Sequence, residues 1–154
     1  MAQKCDKGIS IPHFFANFLK CRLKGSWIYI NNSCFIKLVT ICKNLDDGGI
    51  FHRDIKDENI LINTETLDVK LIDFGCSISC HSADIFKIAC GTPEFFAPEF
   101  YSCNKYSSES ATCWSLGCLL FILIVGHIPF DNKNDIIEGK LRKVHKFLLI
   151  LNFW

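Results

Sequence analysis

The chain has 154 residues, which fits one domain that buries about 68–70% of the surface of its unfolded form. Lys and Arg number 17 and Asp and Glu number 16, so the net charge of +1 attracts the chain neither to nucleic acid nor to an acidic membrane. Hydrophobic residues make up 49% of the sequence, and this share excludes a disordered tail.

The amino-terminal region, residues 1–32, has no clean helical or strand period, and its start lacks the apolar core of a signal peptide. The apolar runs 116–125 and 147–154 are shorter than the roughly 17–25 residues that a membrane helix needs. We therefore expect a non-membrane protein of the cytoplasm, with the nucleus as a second location.

The cysteines, ten in number, are expected to be reduced thiols because the sequence shows no secretory signal. The closest pairs, Cys76/Cys80 and Cys113/Cys118, do not have the usual spacing of paired zinc ligands. His81 adds one candidate ligand beside Cys80, but no second pair follows. Free, mostly buried thiols are therefore preferred to a zinc site.

The first clear element is an amphipathic helix, predicted by apolar residues at helical spacing after Ser33. Asn32 or Ser33 would cap its start, and Gly48-Gly49 would end it. The preceding run 27–30 fits either a short strand or the start of a helix.

Two short apolar runs, Ile60–Ile62 and 69–72, predict strands joined by a polar turn, and hence a hairpin. A loop rich in Ser, Cys and Gly follows as far as Pro93, and 97–101 predicts one helical turn. The run 111–125 is apolar nearly all round and predicts a helix buried on all sides. Gly126 and Pro129 would stop it, and a last helix would cover 134–141. This order predicts an α+β fold that is mainly helical.

A charged segment between the first helix and the hairpin places Asp54, Lys56 and Asn59 within six residues. Asp73 ends the second strand, and a tight hairpin would return it beside Asn59. Amide and carboxylate oxygens suit Mg²⁺, which shares its coordination with substrate phosphates. Asp54 and Lys56 would then orient a hydroxyl nucleophile and neutralise the moving phosphoryl group.

Three motifs occur in the order and spacing of the protein-kinase signature set: His52-Arg53-Asp54, Asp73-Phe74-Gly75 and Ala97-Pro98-Glu99. Lys56, two residues after Asp54, and the run 91–93 resemble serine/threonine kinases rather than tyrosine kinases. The sequence over 52–62 closely resembles the Pim kinases.

The resemblance to Pim-type serine/threonine protein kinases also includes Thr112, since Pim kinases lack the aspartate that most kinases carry at this position. It covers about residues 33–139, with a catalytic loop over 50–62 and an activation segment over 73–99. Residues 1–32 match poorly and 140–154 do not match. No Gly-x-Gly-x-x-Gly loop or Val-Ala-x-Lys strand occurs. The resemblance therefore implies a mainly helical kinase C-terminal lobe with a small β-hairpin and no N-terminal lobe.

The resemblance also implies roles for individual residues. Asp54 would accept or orient the proton of the substrate hydroxyl, and Lys56 would steady the transferred phosphate. Asn59 and Asp73 would hold Mg²⁺, and Leu61 would lie beneath the adenine ring. The residues placed around ATP are Glu58, Asn59, Leu61 and Asp73.

The activation segment would be organised by Arg53, Thr92 and Glu99. Arg53 would meet a phosphate or an acidic group on this segment, for which the candidates are Ser77, Ser79, Ser82 and Asp84. Thr92 would sit near Asp54, and His52 would stack on Phe74.

The resemblance implies a monomeric enzyme that uses ATP and Mg²⁺ to phosphorylate Ser or Thr hydroxyls of protein substrates. Two alternatives stay open because a glycine-rich loop and a strand lysine supply half of the phosphate clamp in kinases, and neither occurs here. The chain would then be an inactive kinase lobe that serves as a binding module, or a non-functional remnant.

Overall fold

The computed structural model describes residues 9–10, 27–63 and 65–143, so predictions for the terminal runs 12–22 and 147–154 lie outside the described residues. Described helices and strands follow in the order β1 (Ile9–Ser10), α1 (Trp27–Asp47), β2 (Ile50–Phe51), β3 (Ile60–Ile62), β4 (Val69–Leu71), β5 (Ile78–Ser79), β6 (Ile85–Phe86), α2 (Pro98–Cys103), β7 (Tyr106–Ser107), α3 (Ser108–Val125) and α4 (Lys133–Glu138). Single 3₁₀ turns form at Asp57–Asn59, Phe74–Cys76 and Pro93–Phe95. The α+β class predicted from the sequence agrees with this architecture.

The hairpin of β3 and β4 is confirmed, with Ile60 opposite Leu71 and Ile62 opposite Val69 in antiparallel register. Its turn closes where the Asn63 N–H donates to the Asp68 carbonyl over 2.9 Å. The sequence of the first 32 residues does not predict β1. This strand pairs with the edge of β3 that does not face β4. A three-stranded sheet in the order β1-β3-β4 therefore lies next to the catalytic-loop sequence.

Two more strand pairs hold the segment after β4, where the sequence predicts only a loop. β5 pairs with β2, and β6 pairs with β7, both antiparallel. Each strand has two residues, too short for a strand pattern to show in the sequence. The loop between Cys76 and Cys90 is therefore fastened to distant parts of the chain at two points.

Helix α1 ends as predicted and begins earlier. Its end is followed by Gly49 at φ 69°, a conformation in which glycine has no steric cost. The prediction that Asn32 or Ser33 caps the start is wrong, since the helix begins at Trp27. No proline or glycine occurs between Trp27 and Asp47, so nothing in this run interrupts the helical ladder.

The main core forms where α1, the sheet and α3 meet. Its most buried members are Ile60 at 1% exposure and Leu119 at 0%. The other buried members are Cys34, Leu38, Cys42, Ile55, Ile62, Leu71 and Leu116. Since burying one aliphatic side chain contributes about 1.5–3 kcal/mol, this cluster is the main stabilising unit beneath the hairpin. Ile55 belongs to it, so the charged segment 52–59 is anchored from within.

The prediction that α3 is buried on all sides is wrong. Cys113, Gly117 and Leu120 are exposed, and their spacing of four and three residues puts them on one stripe of the helix. The helix also starts earlier than predicted, where the Ser107 hydroxyl accepts a hydrogen bond from the Ser110 N–H. An apolar composition indicates that a helix is buried in the fold, but it does not show which of its faces pack against other elements.

The last described helix, α4, is shorter than predicted, because Gly139 at φ 67° ends it after Glu138. Asn132 caps its start by accepting from the N–H groups of Asn134 and Asp135. The helical turn predicted over 97–101 is α2, with Ala97 as its N-cap. Among the described helices, none combines the length and apolarity required to cross a bilayer.

The expectation of free thiols is wrong for Cys76 and Cys90, which form a disulfide with their Cα atoms 5.7 Å apart. They are 14 residues apart, so their spacing in the sequence does not show that they meet. The described cysteines that are free are Cys34, Cys42, Cys80, Cys103, Cys113 and Cys118. Burial raises the pKa of Cys42 to about 11 and that of Cys118 to about 12, so both thiols stay protonated at neutral pH.

Candidate active site

The hairpin brings the two predicted site segments together. Residues 52–59 run from β2 into β3, and residues 73–75 leave β4. The Ile72 N–H donates to the Asn59 carbonyl over 2.9 Å, so the chain next to Asp73 lies against the end of the charged segment. The predicted return of Asp73 to the neighbourhood of Asn59 is therefore present in the backbone.

The Asp54 carboxylate is the centre of a hydrogen-bonded cluster, and its residue is only 9% exposed. Its Oδ1 accepts from the Thr92 hydroxyl over 2.7 Å. Its Oδ2 accepts from the Asn59 amide over 3.0 Å and lies 3.1 Å from the Lys56 ammonium. The Lys56 ammonium also donates to the Thr92 hydroxyl over 2.7 Å. We call Asp54, Lys56, Asn59 and Thr92 the Asp54 cluster.

This cluster keeps Asp54 ionised. Burial raises its pKa, but the hydrogen bonds from Thr92, Lys56 and Asn59 outweigh burial and hold the pKa below its ordinary value. A carboxylate at neutral pH can accept a proton or a hydrogen bond from a hydroxyl group. The Thr92 hydroxyl already occupies such a position on Oδ1.

Asn59 has an orientation fixed by two acceptors. Its side-chain nitrogen donates to the Asp54 carbonyl over 2.8 Å and to Asp54 Oδ2 over 3.0 Å. Because both bonds use the nitrogen, Oδ1 is left as the amide's acceptor, and none of the described residues donates to it. Asn59 therefore offers one neutral oxygen next to an ionised carboxylate.

Asp73 has a left-handed backbone, with φ 61°, and its Oδ1 accepts from the Gly75 N–H over 3.2 Å. The residue is exposed, and within the described ranges no other group donates to its carboxylate. The Asn59 and Asp73 oxygens are hard ligands of the kind that Mg²⁺ takes in small number. The residues present therefore fit a divalent cation that shares phosphate oxygens.

His52 links Asp54 to the Asp73 turn. Its Nδ1 accepts from the Asp54 N–H, and its Nε2 donates to the Ile72 carbonyl over 3.2 Å, as expected for one neutral tautomer. Its ring contacts Phe74 edge to face, with 4.8 Å between centroids. Burial lowers the pKa of His52, although the charges on Asp54 and Asp73 oppose this. The two rings are therefore in contact as predicted, but edge to face rather than stacked.

Glu58 and Leu61, predicted to bind ATP, lie outside the Asp54 cluster. Glu58 is exposed in the 3₁₀ turn, whereas Leu61 is half-buried on the sheet face opposite Ile60 and Ile62. Asp57, next to Glu58, is an ionisable group that the sequence analysis missed. Burial and the negative charge of Glu58 raise the pKa of Asp57 to about 6.

Arg53 contacts the activation segment at its beginning. Its Nε donates to the Cys76 carbonyl, and the Asp84 carboxylate instead accepts from the His81 N–H. The described structure therefore gives Arg53 a backbone partner on this segment and pairs the candidate Asp84 with His81, while a phosphate partner for Arg53 stays a prediction. Glu99, also assigned to this region, has a buried Oε1 with no hydrogen-bond partner among the described residues.

Gly91 packs closely against the backbone of Arg53. A Cβ atom at Gly91 would lie 2.3 Å from the Arg53 carbonyl oxygen, and its φ of 107° is unfavourable for other residues. The adjacent Thr92 is thereby held where its hydroxyl reaches Asp54. A cavity of ≈ 30 Å³ adjoins this contact and is lined in part by Arg53, Cys90 and Thr112.

Comparison with known families agrees with this geometry. The protein kinase domain matches residues 32–152, which is more than half of the chain. The chain belongs to the protein kinase domain family. Its described part is a kinase-domain fragment with mixed helices and small strands.

Several of the kinase relatives are serine/threonine kinases by name. Over 105 residues, 68% of the chain, it is 44% identical to serine/threonine-protein kinase pim-2 of Danio rerio. It is 40% identical to serine/threonine-protein kinase PSK2 of Saccharomyces cerevisiae and 38% identical to CBL-interacting serine/threonine-protein kinase 7 of Arabidopsis thaliana, over 70% and 73% of the chain. The matched part spans 33%, 10% and 26% of these three relatives.

Proposed function

We propose that this chain carries the catalytic loop of a Pim-like serine/threonine protein kinase, which transfers the γ-phosphoryl group of ATP to a Ser or Thr hydroxyl of a protein substrate. The observation that carries the proposal is the Asp54 cluster, in which a buried, ionised carboxylate contacts both a hydroxyl and an ammonium group. Residues 33–139 form the C-terminal lobe in this proposal, and the protein acts as a monomer in the cytoplasm and nucleus.

Asp54 positions the attacking hydroxyl and accepts its proton. The 2.7 Å hydrogen bond from Thr92 to Oδ1 supports this role, because a substrate hydroxyl needs the same kind of acceptor. The Lys56 ammonium lies 3.1 Å from Asp54 Oδ2 and offsets negative charge as the phosphoryl group moves. Both groups are held before substrate arrives, so little reorganisation is needed.

Asn59 and Asp73 would hold Mg²⁺ through their side-chain oxygens, with Glu58 and Leu61 beside the nucleotide. When bound, Mg²⁺ neutralises the phosphates of ATP. The hydrogen bonds from Asn59 to Asp54 support this assignment, since they fix the amide and leave Oδ1 available.

The Pim-like character is supported by two features. The run 52–62 resembles Pim kinases, and Thr112 occupies a position where most kinases have aspartate. The match to pim-2 of Danio rerio is in the same range of identity as matches to other kinase groups. A preference for serine peptides rich in basic residues would separate a Pim-like enzyme from these alternatives.

A second candidate function is a binding module without turnover. It is supported by the lack of a Gly-x-Gly-x-x-Gly motif and of a Val-Ala-x-Lys strand in this sequence. The exposed stripe of Cys113, Gly117 and Leu120 also offers an apolar surface. In this case the Asp54 cluster stays folded, but phosphate is not transferred.

The test uses the purified 154-residue chain in two assays. The first measures the rise in melting temperature with Mg²⁺ and ATP; we expect a saturable rise that Asp73→Ala abolishes. The second measures transfer of labelled γ-phosphate to a basic serine peptide, which we expect Asp54→Asn to abolish. Asp46→Asn, at an exposed carboxylate on α1, is the matched control for both assays.

The outcomes separate the two functions. Transfer that depends on Asp54 supports the kinase. Binding of Mg²⁺ and ATP that depends on Asp73, without transfer, supports the binding module. A folded chain whose melting temperature does not respond to Mg²⁺ and ATP contradicts the proposed nucleotide site.

A further inference from the structure

Two cysteines flank the activation segment at the points where it leaves and rejoins the candidate active site. Cys76 directly follows the Asp73-Phe74-Gly75 turn, and Cys90 directly precedes Gly91 and Thr92. Their Cα atoms are 5.7 Å apart, within the range in which a disulfide forms without moving the backbone. Bonding them closes residues 76–90 into a loop.

We propose that Cys76 and Cys90 form a reversible thiol–disulfide site, oxidised by a peroxide and reduced by a dithiol, that controls the order of the active site. The control of ATP binding rests on the proposed function, whereas formation of the disulfide does not. The match to the protein kinase domain and the names of the relatives do not mention such a site.

Arg53 lies between the two ends of the loop. Its Nε donates to the Cys76 carbonyl, and its own carbonyl is in close contact with Gly91. Through Gly91 the contact extends to Thr92, whose hydroxyl is bound to Asp54. A bond between the two sulfurs therefore holds both ends of the loop, at Cys76 and at Gly91, against Arg53.

The two cysteines stay close when the sulfur–sulfur bond is open. β5 pairs with β2 shortly after Cys76, and β6 pairs with β7 shortly before Cys90. The Cys80 N–H also donates to the Gly49 carbonyl over 2.9 Å. Because these backbone contacts do not need the disulfide, the thiols remain near each other and can bond again.

Access distinguishes this pair from the buried thiols Cys42 and Cys118. Cys76 and Cys90 are half-buried, and Cys90 lines the ≈ 30 Å³ cavity together with Arg53. Cys42 and Cys118 are buried, and their raised pKa keeps them protonated. Peroxide should therefore reach Cys76 and Cys90 before the buried thiols, whereas the exposed Cys103 and Cys113 are free rather than paired.

The oxidation consumes one peroxide for each disulfide. A thiolate sulfur attacks one peroxide oxygen, the oxygen–oxygen bond breaks, and the leaving hydroxide takes a proton to become water. The sulfenic acid is then attacked by the second thiol; the sulfur–sulfur bond forms and the hydroxyl leaves as a second water. The two sulfurs lose two electrons, which reduce the peroxide. A dithiol reverses the step by exchange and is itself oxidised.

The disulfide should keep the Asp54 cluster ordered. In the oxidised chain the loop ends cannot separate, so Thr92 stays on Asp54 and the Asp73 turn stays beside Asn59. In the reduced chain the same contacts remain but the ends open more often. We expect the oxidised chain to melt at a higher temperature and to bind Mg²⁺ and ATP more tightly.

Lys87 provides a direct assay, because it is an exposed trypsin site inside the loop. The full chain is treated with hydrogen peroxide or with dithiothreitol, remaining thiols are alkylated, and trypsin is added. In the oxidised sample we expect peptides 71–87 and 88–105 as one linked species, lighter by two hydrogens than their sum. We also expect cleavage after Lys87 to be slower by about tenfold than in the reduced sample.

Serine variants identify the pair within the linked peptides, which also contain Cys80 and Cys103. Cys76→Ser and Cys90→Ser should abolish the link, whereas Cys80→Ser and Cys103→Ser should keep it. If a variant fails to fold, the alkylation pattern of the wild-type chain still shows whether Cys76 and Cys90 are bonded. Alkylation of both Cys76 and Cys90 after peroxide treatment would overturn the proposal, as would a link that survives Cys76→Ser.

The last measurement separates this proposal from the proposed function. Melting temperature is recorded with and without Mg²⁺ and ATP in both oxidation states. A nucleotide-induced rise that is larger in the oxidised chain supports the control of the active site. An equal rise in melting temperature in the oxidised and reduced chains overturns the control of the active site, but it does not contradict formation of the disulfide. No rise in either state, with the peptides linked, contradicts the proposed function and not the thiol–disulfide site.

Discussion

Residues 52–59 of the predicted catalytic loop and residues 76–91 of the predicted activation segment are neighbours that are held in place in different ways. The catalytic loop is fixed from inside, because Asp54 is buried and bonded to three side chains. The activation segment is mostly exposed and is fixed at its ends and by two short strand pairs. A change in the first region should therefore disturb the whole domain, while most changes in the second should stay local.

The largest effect should come from Asp54→Ala. The substitution removes the carboxylate that pairs with the Lys56 ammonium and accepts from the Asn59 amide in a largely buried place, and leaves them only the Thr92 hydroxyl and the Asp54 carbonyl as acceptors. We expect the free energy of unfolding to fall by about 3 kcal/mol, as when one partner of a buried ion pair is removed. Urea unfolding measures this, with Asp46→Ala as the exposed control. A loss no greater than that of the control would show that the catalytic loop is not held from inside.

The next effect should come from Gly91→Ala, where the activation segment closely contacts the Arg53 backbone. The new Cβ would lie 2.3 Å from the Arg53 carbonyl oxygen and would need a positive φ. We expect a loss of about 2 kcal/mol in unfolding free energy. Gly126→Ala is the matched control, since it has φ 88° but open space around its Cβ. Equal losses would mean that only the backbone angle matters, and not the contact.

A smaller, pH-dependent effect is expected at Asp57. Its folded pKa of about 6 is above the ordinary value, so folding favours the protonated form. Stability is highest below the unfolded pKa and falls as pH rises from about 4 to 6. After allowing for solvent screening at this half-exposed group, Asp57→Asn should gain about 1 kcal/mol at pH 7.5 and almost nothing at pH 4. Unfolding at the two pH values tests this; a gain that is equal at both pH values would contradict the assignment.

The smallest effect should come from Ile88→Ser, inside the activation segment. Ile88 is 78% exposed, and its carbonyl, which accepts from the Tyr106 hydroxyl, is unchanged by the substitution. We expect the unfolding free energy to change by no more than about 0.5 kcal/mol. Differential scanning calorimetry is sufficient for this comparison. A loss as large as that of Asp54→Ala would remove the distinction between the two regions.

Much of the candidate site could be predicted, because its residues follow one another closely. The run 52–59 contains three members of the Asp54 cluster, and the hairpin that returns the chain to Asp73 shows as two apolar runs around a polar turn. The contact between Thr92 and Asp54 came from the resemblance to kinases, and the structure gives it as a 2.7 Å hydrogen bond. These features depend on local pattern or on a motif of fixed spacing.

Other features could not be predicted, because they depend on partners far along the chain. The raised pKa of Asp57 needs both its charged neighbour and the burial that the fold creates. The partner of Arg53 is a backbone carbonyl at Cys76, and backbone groups carry no sequence signal. The exposed stripe on α3 has the same apolar composition as its buried faces.

By itself, the sequence determined the kinase motifs, the hairpin and the end of α1, since each depends on residues that are adjacent or evenly spaced. Only the tertiary structure decided which side of α3 is covered, which cysteines meet and how the activation segment is fastened. The physical reason is that burial and pairing depend on distances between segments, whereas residue patterns report only the local preferences of each segment.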